Sequence, residues 1–309
     1  MKLDRREFLA FSSSALAFSP FVRTFAQGQP PPAVAKFDDV RRNVGIFTMR
    51  GGTIGTFVNK DAVLVIDTQY PDTARACLDG LKQKIGNRSI DTVFNTHHHA
   101  DHTGGNAVFR AEAKRIIAQV NVPDLQRKAA AAAPPNPSAP TPPPTVADAT
   151  FDKSWSQNFG DEKVIAWFNG PGHTGGDAII QFERAHVVHM GDLMFFERHP
   201  RVDRPAGASI QNWITILEKV TKQMPADTIY IAGHARDGAP VTVDRQAVLR
   251  FRDYFDAVLA YTRKAIAGGQ TKEAVAAAAS LPGFETYQGG GALTLGGVLG
   301  VAYEELTAK

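Results

Sequence analysis

The stretch Asn95-Thr96-His97-His98-His99-Ala100-Asp101-His102-Thr103-Gly104-Gly105-Asn106 decides how the rest of the chain is read. It follows the apolar run Thr92-Val93-Phe94, part of a strand expected over Asp91 to Thr96, and runs into paired glycines, so it reads as a strand-to-helix loop. Alternate residues of an extended segment point the same way. His97 and His99 therefore converge on one point, where a zinc-like ion would take neutral imidazoles at about 2.0 to 2.2 Å, and His98 faces away. Asp101 and His102 come where the chain turns and aim elsewhere, so one loop holds parts of two metal sites. An accidental polar surface run is the plainer alternative. Against it, four of the nine histidines in 309 residues crowd into this one loop.

If the loop supplies only part of two sites, other strands should end in further ligands, and three do. Gly170-Pro171-Gly172-His173-Thr174-Gly175-Gly176-Asp177 follows the apolar Val164 to Phe168. Asp192 ends Val187-Val188-His189-Met190-Gly191-Asp192, and His234 ends Thr228-Ile229-Tyr230-Ile231-Ala232-Gly233-His234. Each lies beside glycine, which allows the sharp turn and close backbone approach that a loop wrapped around an ion requires. The lone Cys77 sits in Ala74 to Leu81, a helical pattern, and reads as a small buried apolar residue.

With these residues in hand the chain resembles the metallo-β-lactamase superfamily over about residues 36 to 240. The motifs are Asp67 after Val63-Leu64-Val65-Ile66, the His97 to His102 loop, His173, Asp192 and His234, in that order. The resemblance implies an α/β fold, the four-layer αββα sandwich, with the metals at one edge. It also implies that His97, His99 and His173 hold a first metal, that Asp101, His102 and His234 hold a second, and that Asp192 bridges both. Asp67 reads as a supporting carboxylate. Aspartate at the bridging position is similar to glyoxalase II-like thioesterases and lactonases, whereas the β-lactamases proper usually carry cysteine or serine there.

What the resemblance implies chemically is hydrolysis by a two-metal centre, in which a hydroxide held between the ions attacks an amide or ester-type bond and Asp101 orients it and shuttles a proton. Two Zn²⁺ ions are expected, with iron or manganese as alternatives, and a small molecule as substrate. The competing readings are a thioesterase or lactonase, a mononuclear iron persulfide dioxygenase, and a non-catalytic binding module. Family lactonases tend to place a tyrosine just after the bridging aspartate, where this chain has Leu193-Met194-Phe195-Phe196. A solvated loop is expected for Arg198, His199 and Arg201, with substrate contact as its sharper alternative.

Composition sets the frame. A chain of this length with 43% hydrophobic residues can bury one large core, and a formal charge of +3 is too weak to argue for nucleic acid. Residues 1 to 26, with Arg5-Arg6-Glu7-Phe8-Leu9, a mildly apolar run and Thr24-Phe25-Ala26, resemble a twin-arginine signal cleaved near Ala26. That places the mature protein in the periplasm or outside the cell. The apolar run is shorter than the ~20 residues of a membrane span, so none is expected in the mature chain. A single cysteine allows no intrachain disulfide in an oxidising compartment.

Residues 27 to 35 read as a proline-rich linker before one domain over 36 to 309. Expected elements are hairpin strands within 44 to 67, a helix over 72 to 84, strands near 163 to 168, 178 to 182 and 186 to 190, and a helix over Ser209 to Met224. Residues 129 to 147, Ala-rich then Pro-rich, read as an irregular insertion, either inert or a flap. Residues 244 to 309 read as a helical C-terminal part, in which Gly289-Gly290-Gly291 and the leucines and valines after it suit packing or an oligomer contact. The oligomeric state is left open.

Overall fold

The computed structural model describes residues 34–133 and 142–308; the expected signal segment, most of the linker and Pro134-Pro135 lie outside the described residues. The first sheet runs in sequence order: β1 (Lys36–Arg41), β2 (Val44–Thr48), β3 (Ile54–Val58), β4 (Val63–Ile66), β5 (Thr92–Asn95), β6 (Ile116–Gln119) and β7 (Ala149–Phe151). Its first four strands are antiparallel neighbours and β4 to β7 are parallel.

The parallel pairs need crossovers. They come as α1 (Pro71–Ile85) before β5, then the short α2 (Ala100–Thr103) and α3 (Asn106–Arg110) before β6, and α4 (Val122–Ala132) before β7. The alanines at 129–132 thus finish a helix rather than beginning the expected irregular insertion. Alanine is the strongest helix former, and the described residues 142–147 that come before β7 carry no regular element.

The second sheet has the order β15-β13-β11-β10-β9-β8, built from β8 (Ser154–Phe159), β9 (Glu162–Trp167), β10 (Ile179–Phe182), β11 (Val187–His189), β13 (Ile229–Ile231) and β15 (Thr242–Val243). Between these in sequence, β12 (Phe195–Phe196) and β14 (His234–Ala235) form a small parallel pair. The remaining helices are α5 (Ile210–Gln223), α6 (Arg245–Ala267), α7 (Lys272–Ala276) and α8 (Leu295–Thr307).

Layering follows from how each strand divides its side chains. In β4, Leu64 and Ile66 join Phe57, Phe94 and Ile117 against Val164, Ile180, Phe182 and Ile231 of the second sheet. Val63 and Val65 point the opposite way, onto Cys77, Leu78 and Leu81 of α1. All four residues are buried, as a strand covered on both faces must be. The outer face of the second sheet, with Ile179, Val188 and Tyr230, is covered by Trp213 and Leu217 of α5, Phe251 and Phe255 of α6 and Leu299 of α8. The result is helices, sheet, sheet, helices: the expected αββα sandwich, with the C-terminal helices closing its fourth layer.

Candidate metal centre

Five loops at one edge of the sandwich carry the site. Asp67, just after β4, accepts the backbone N–H of Thr96 at 2.7 Å and the Thr96 hydroxyl at 2.7 Å, which pins the start of the histidine loop after β5 to the end of β4. Three imidazoles then meet. His97 Nε2 lies 3.1 Å from His99 Nδ1, and His173 Nε2 lies 2.9 Å from that same nitrogen.

The outer nitrogens of these rings decide what the inner ones are. Thr96 Oγ1 already donates to Asp67, so at 3.0 Å it accepts from His97 Nδ1–H. The Nε2–H of His99 donates to Asp203 at 2.7 Å, and the Nδ1–H of His173 donates to the carbonyl of Arg201 at 2.8 Å. Each neutral ring has spent its one proton outward, so the three inner nitrogens face one another as bare lone pairs. Burial disfavours charge on two of them, with His97 pushed well below the ordinary imidazole range and His173 down to about 3. Lone pairs in mutual contact repel unless a cation lies between them, and ligands at about 2.0 to 2.1 Å around a tetrahedral ion sit at about this spacing.

Asp192 stands between this group and a second. One carboxylate oxygen is 3.4 Å from His173 Nε2 and 3.8 Å from His97 Nε2; the other is 2.9 Å from His102 Nε2 and 3.4 Å from His234 Nε2. The latter oxygen is buried, with these two nitrogens as its polar neighbours. His102 Nδ1 is held by Asp67 at 2.7 Å, and His234 Nε2 lies 3.2 Å from Asp101. Burial disfavours charge on these imidazoles, yet the carboxylates of Asp192, Asp67 and Asp101 prevail. His102 is raised well above its usual pKa and His234 to about 9. The second group therefore calls for positive charge, from protons or from a cation. The residues present fit two divalent ions.

Glycine makes the approach feasible. A Cβ on Gly52 would lie 2.1 Å from His102 Cε1, and one on Gly233 would lie 2.1 Å from the Asp192 carboxylate. All seven residues expected as ligands, His97, His99, Asp101, His102, His173, Asp192 and His234, are thus brought together, and Asp67 supports from behind. Asp101, a quarter exposed, faces a groove of about 1000 Å³ that is also lined by Arg50, Tyr70, Arg198, His234 and Leu293.

Some partners carry no sequence signal. Asp203 behind His99 is one, since it follows no apolar run that ends in glycine. The part His189 plays is another: its Nε2–H donates to Thr53 O at 3.1 Å and its Nδ1 accepts Gly191 N–H at 3.2 Å, which fixes the turn that presents Asp192. His98 faces away from the lone-pair cluster as alternation requires, its ring packed 4.4 Å from His99 in the interior. One expectation needs correction. His199 is buried against Tyr254 OH at 2.9 Å, because the C-terminal region covers that part of a loop expected to be solvated, while Arg201 is exposed.

Lone pairs turned on one another beside a shared buried carboxylate, at the edge of an αββα sandwich, are the equipment of a metal-dependent hydrolase, and fold and site together assign that class. The chain belongs to the metallo-β-lactamase superfamily, whose family model matches residues 50–234. A type 2 metallo-β-lactamase of Bacillus cereus is 20% identical over 244 residues, covering 73% of this chain and 90% of the relative. A hydroxyacylglutathione hydrolase of Bartonella henselae is 26% identical over 162 residues, covering 52% and 54%. Among solved structures, a metallo-β-lactamase from Pontibacter korlensis superposes with a TM-score of 0.59 at 16% identity, covering 72% of this chain and 99% of that one. A sec-alkylsulfatase from a Pseudomonas species gives 0.66 at 17% identity, covering 89% and 50%.

Proposed function

We propose that the chain is an exported hydrolase that holds two zinc ions and cleaves an amide or ester-type bond in a small molecule. The observation that carries this reading is the set of three inward lone pairs on His97, His99 and His173 facing the buried Asp192. His97, His99, His173 and Asp192 would hold the first ion, and Asp101, His102, His234 and Asp192 the second. Such ions, when bound, polarise a scissile carbonyl and make water a competent nucleophile near neutral pH.

The chain's own groups do the rest. Asp101 is held ionised by the imidazoles of His102 and His234, in spite of burial that favours its neutral form. From the groove wall it accepts a hydrogen bond from the attacking water, orients it and takes up its proton. Arg198 lines the same groove; its Nη1 reaches only Ala235 O and Asp237, each at 3.4 Å, and its Nε has no partner among the described residues. It is placed to anchor an anionic group of the substrate.

The Bartonella relative, together with aspartate at position 192, favours a thioesterase as the second reading. Metal analysis of the purified protein, combined with chromogenic β-lactam, lactone and thioester substrates, separates the two. Two zincs with β-lactam opening supports the first reading, and thioester cleavage alone supports the second. One iron with oxygen consumption would overturn both. Export is tested by fractionation: periplasmic protein that begins after Ala26 supports it, and cytoplasmic protein that keeps Met1 rejects it.

A further inference from the structure

The segment Arg201–Asp203 touches two of the three imidazoles of the first group and none of the second. Asp203 Oδ2 accepts from His99 Nε2–H at 2.7 Å, Arg201 O accepts from His173 Nδ1–H at 2.8 Å, and the Asp203 N–H donates to His173 O at 3.2 Å. It lies in the connection between β12 and α5, eleven residues past Asp192, where no ligand spacing would point to it.

Asp203 also belongs to a second cluster, His98, His99 and Asp203, whose ligand atoms could themselves surround a cation. Two observations argue against that use. Arg201 Nη2 lies 3.2 Å from the same Asp203 oxygen, putting a fixed positive charge at the point a cation would take. His98 Nε2 stands 3.7 Å from that oxygen, too far for a hydrogen bond, and its Nδ1 has no partner among the described residues. The carboxylate is therefore committed to His99, with Arg201 holding it.

Resting on the reading of His97, His99 and His173 as ligands of a first ion, we propose that Asp203 is a positioning residue for that ion alone. It acts through His99, and Asp67 is its counterpart for the second ion through His102. The hydrogen bond to a carboxylate keeps the His99 proton on Nε2, so that Nδ1 presents its lone pair. It also fixes the ring plane and makes that lone pair a better donor. Only side-chain atoms carry the effect. The Asp203 backbone is held separately, its carbonyl accepting from the N–H of Ala206 at 3.0 Å and of Ala208 at 3.1 Å, so truncation of the side chain leaves the loop anchored.

The test is a stepwise chelator-competition titration of the full chain with Zn²⁺, repeated with Co²⁺ so that the ligand-field spectrum reports which centre fills. Asp203→Ala should weaken the first ion by about 10- to 100-fold and leave the second within about threefold. Asp203→Asn, which still offers an oxygen to His99 Nε2–H, should fall between Ala and the parent. His98→Ala should change neither ion. Equal weakening of both ions, or an unchanged first ion in a folded Asp203→Ala, overturns the proposal. So does a third equivalent that disappears in His98→Ala. If the parent chain binds no divalent ion, the ligand reading beneath the proposal fails, and that outcome is distinct from selective failure in the variant.

Discussion

At the scale of single residues, the site is organised by where protons are placed. His97, His99 and His173 each spend their proton on Thr96, Asp203 or Arg201, and what remains inward is a set of lone pairs. Asp101 differs from the other carboxylates of the site in facing the groove, which is what supports the proposed catalytic part. Asp101→Asn, assayed with Zn²⁺ in excess so that the second ion stays bound, is expected to keep the fold by circular dichroism and to lower kcat by about 10²-fold or more, the usual worth of a placed proton acceptor; unchanged turnover would remove that role. Gly52 is constrained by space alone, since it shows no left-handed backbone angle. In Gly52→Ala the new methyl meets the His102 ring at 2.1 Å. The second ion should therefore bind about 10- to 100-fold more weakly while the first is retained, as read by the same competition titration.

At the scale of elements, each ligand loop is held by something behind it. The His173 loop is tied to the start of α5, where Ser209 N–H donates to Gly172 O at 3.0 Å and Asn212 Nδ2 donates to Pro171 O at 2.8 Å. That helix start is in turn capped from α8. The Glu305 carboxylate accepts from Ser209 Oγ at 2.9 Å, Ile210 N at 2.8 Å and Gln211 N at 3.2 Å. A negative charge on the open N–H groups of a first turn is favourable both as a cap and against the helix dipole. Glu305→Ala should lower Tm by about 2 to 6 °C in a thermal melt. No change would mean that Ser209 caps α5 alone.

The same elements show what the sequence could and could not reveal. The residues at strand ends that the fold gathers into one site were legible because an apolar run followed by glycine and a histidine or aspartate needs no partner to be recognised. Strand β8, Ser154–Phe159, was not legible. It is an edge strand with four polar residues in six, and it carries no alternation to read. Asp203 and Glu305 were invisible for another reason. Their partners lie 104 and about 95 residues away in sequence, and only the folded chain brings them together.

At the scale of the whole molecule, the two sheets and their helices place five loops on one edge, and the site couples those loops through shared charge. Asp192 reaches imidazoles from three of the other loops, so the centre ties the first sheet to the second across the sandwich. The carboxylates around His102 and His234 favour positive charge on that side of Asp192, while the inner nitrogens of His97, His99 and His173 crowd one another on the other. An ion bound by the folded state alone stabilises it by about 4 kcal/mol at a thousandfold excess over Kd, which for a domain of this size is on the order of 10 °C in Tm. Dialysis against a chelator should therefore lower Tm by that order, and restoring Zn²⁺ in two equivalents should recover it. Cys77 gives an independent measure of the same coupling. Burial raises its pKa far above the ordinary thiol range, so a thiol reagent should not label the native chain. Because Cys77 packs α1 against the first sheet, away from the ligands, faster labelling after metal removal would show that the ions hold the sandwich together. Equal rates with and without the ions would confine their effect to the loops at the edge.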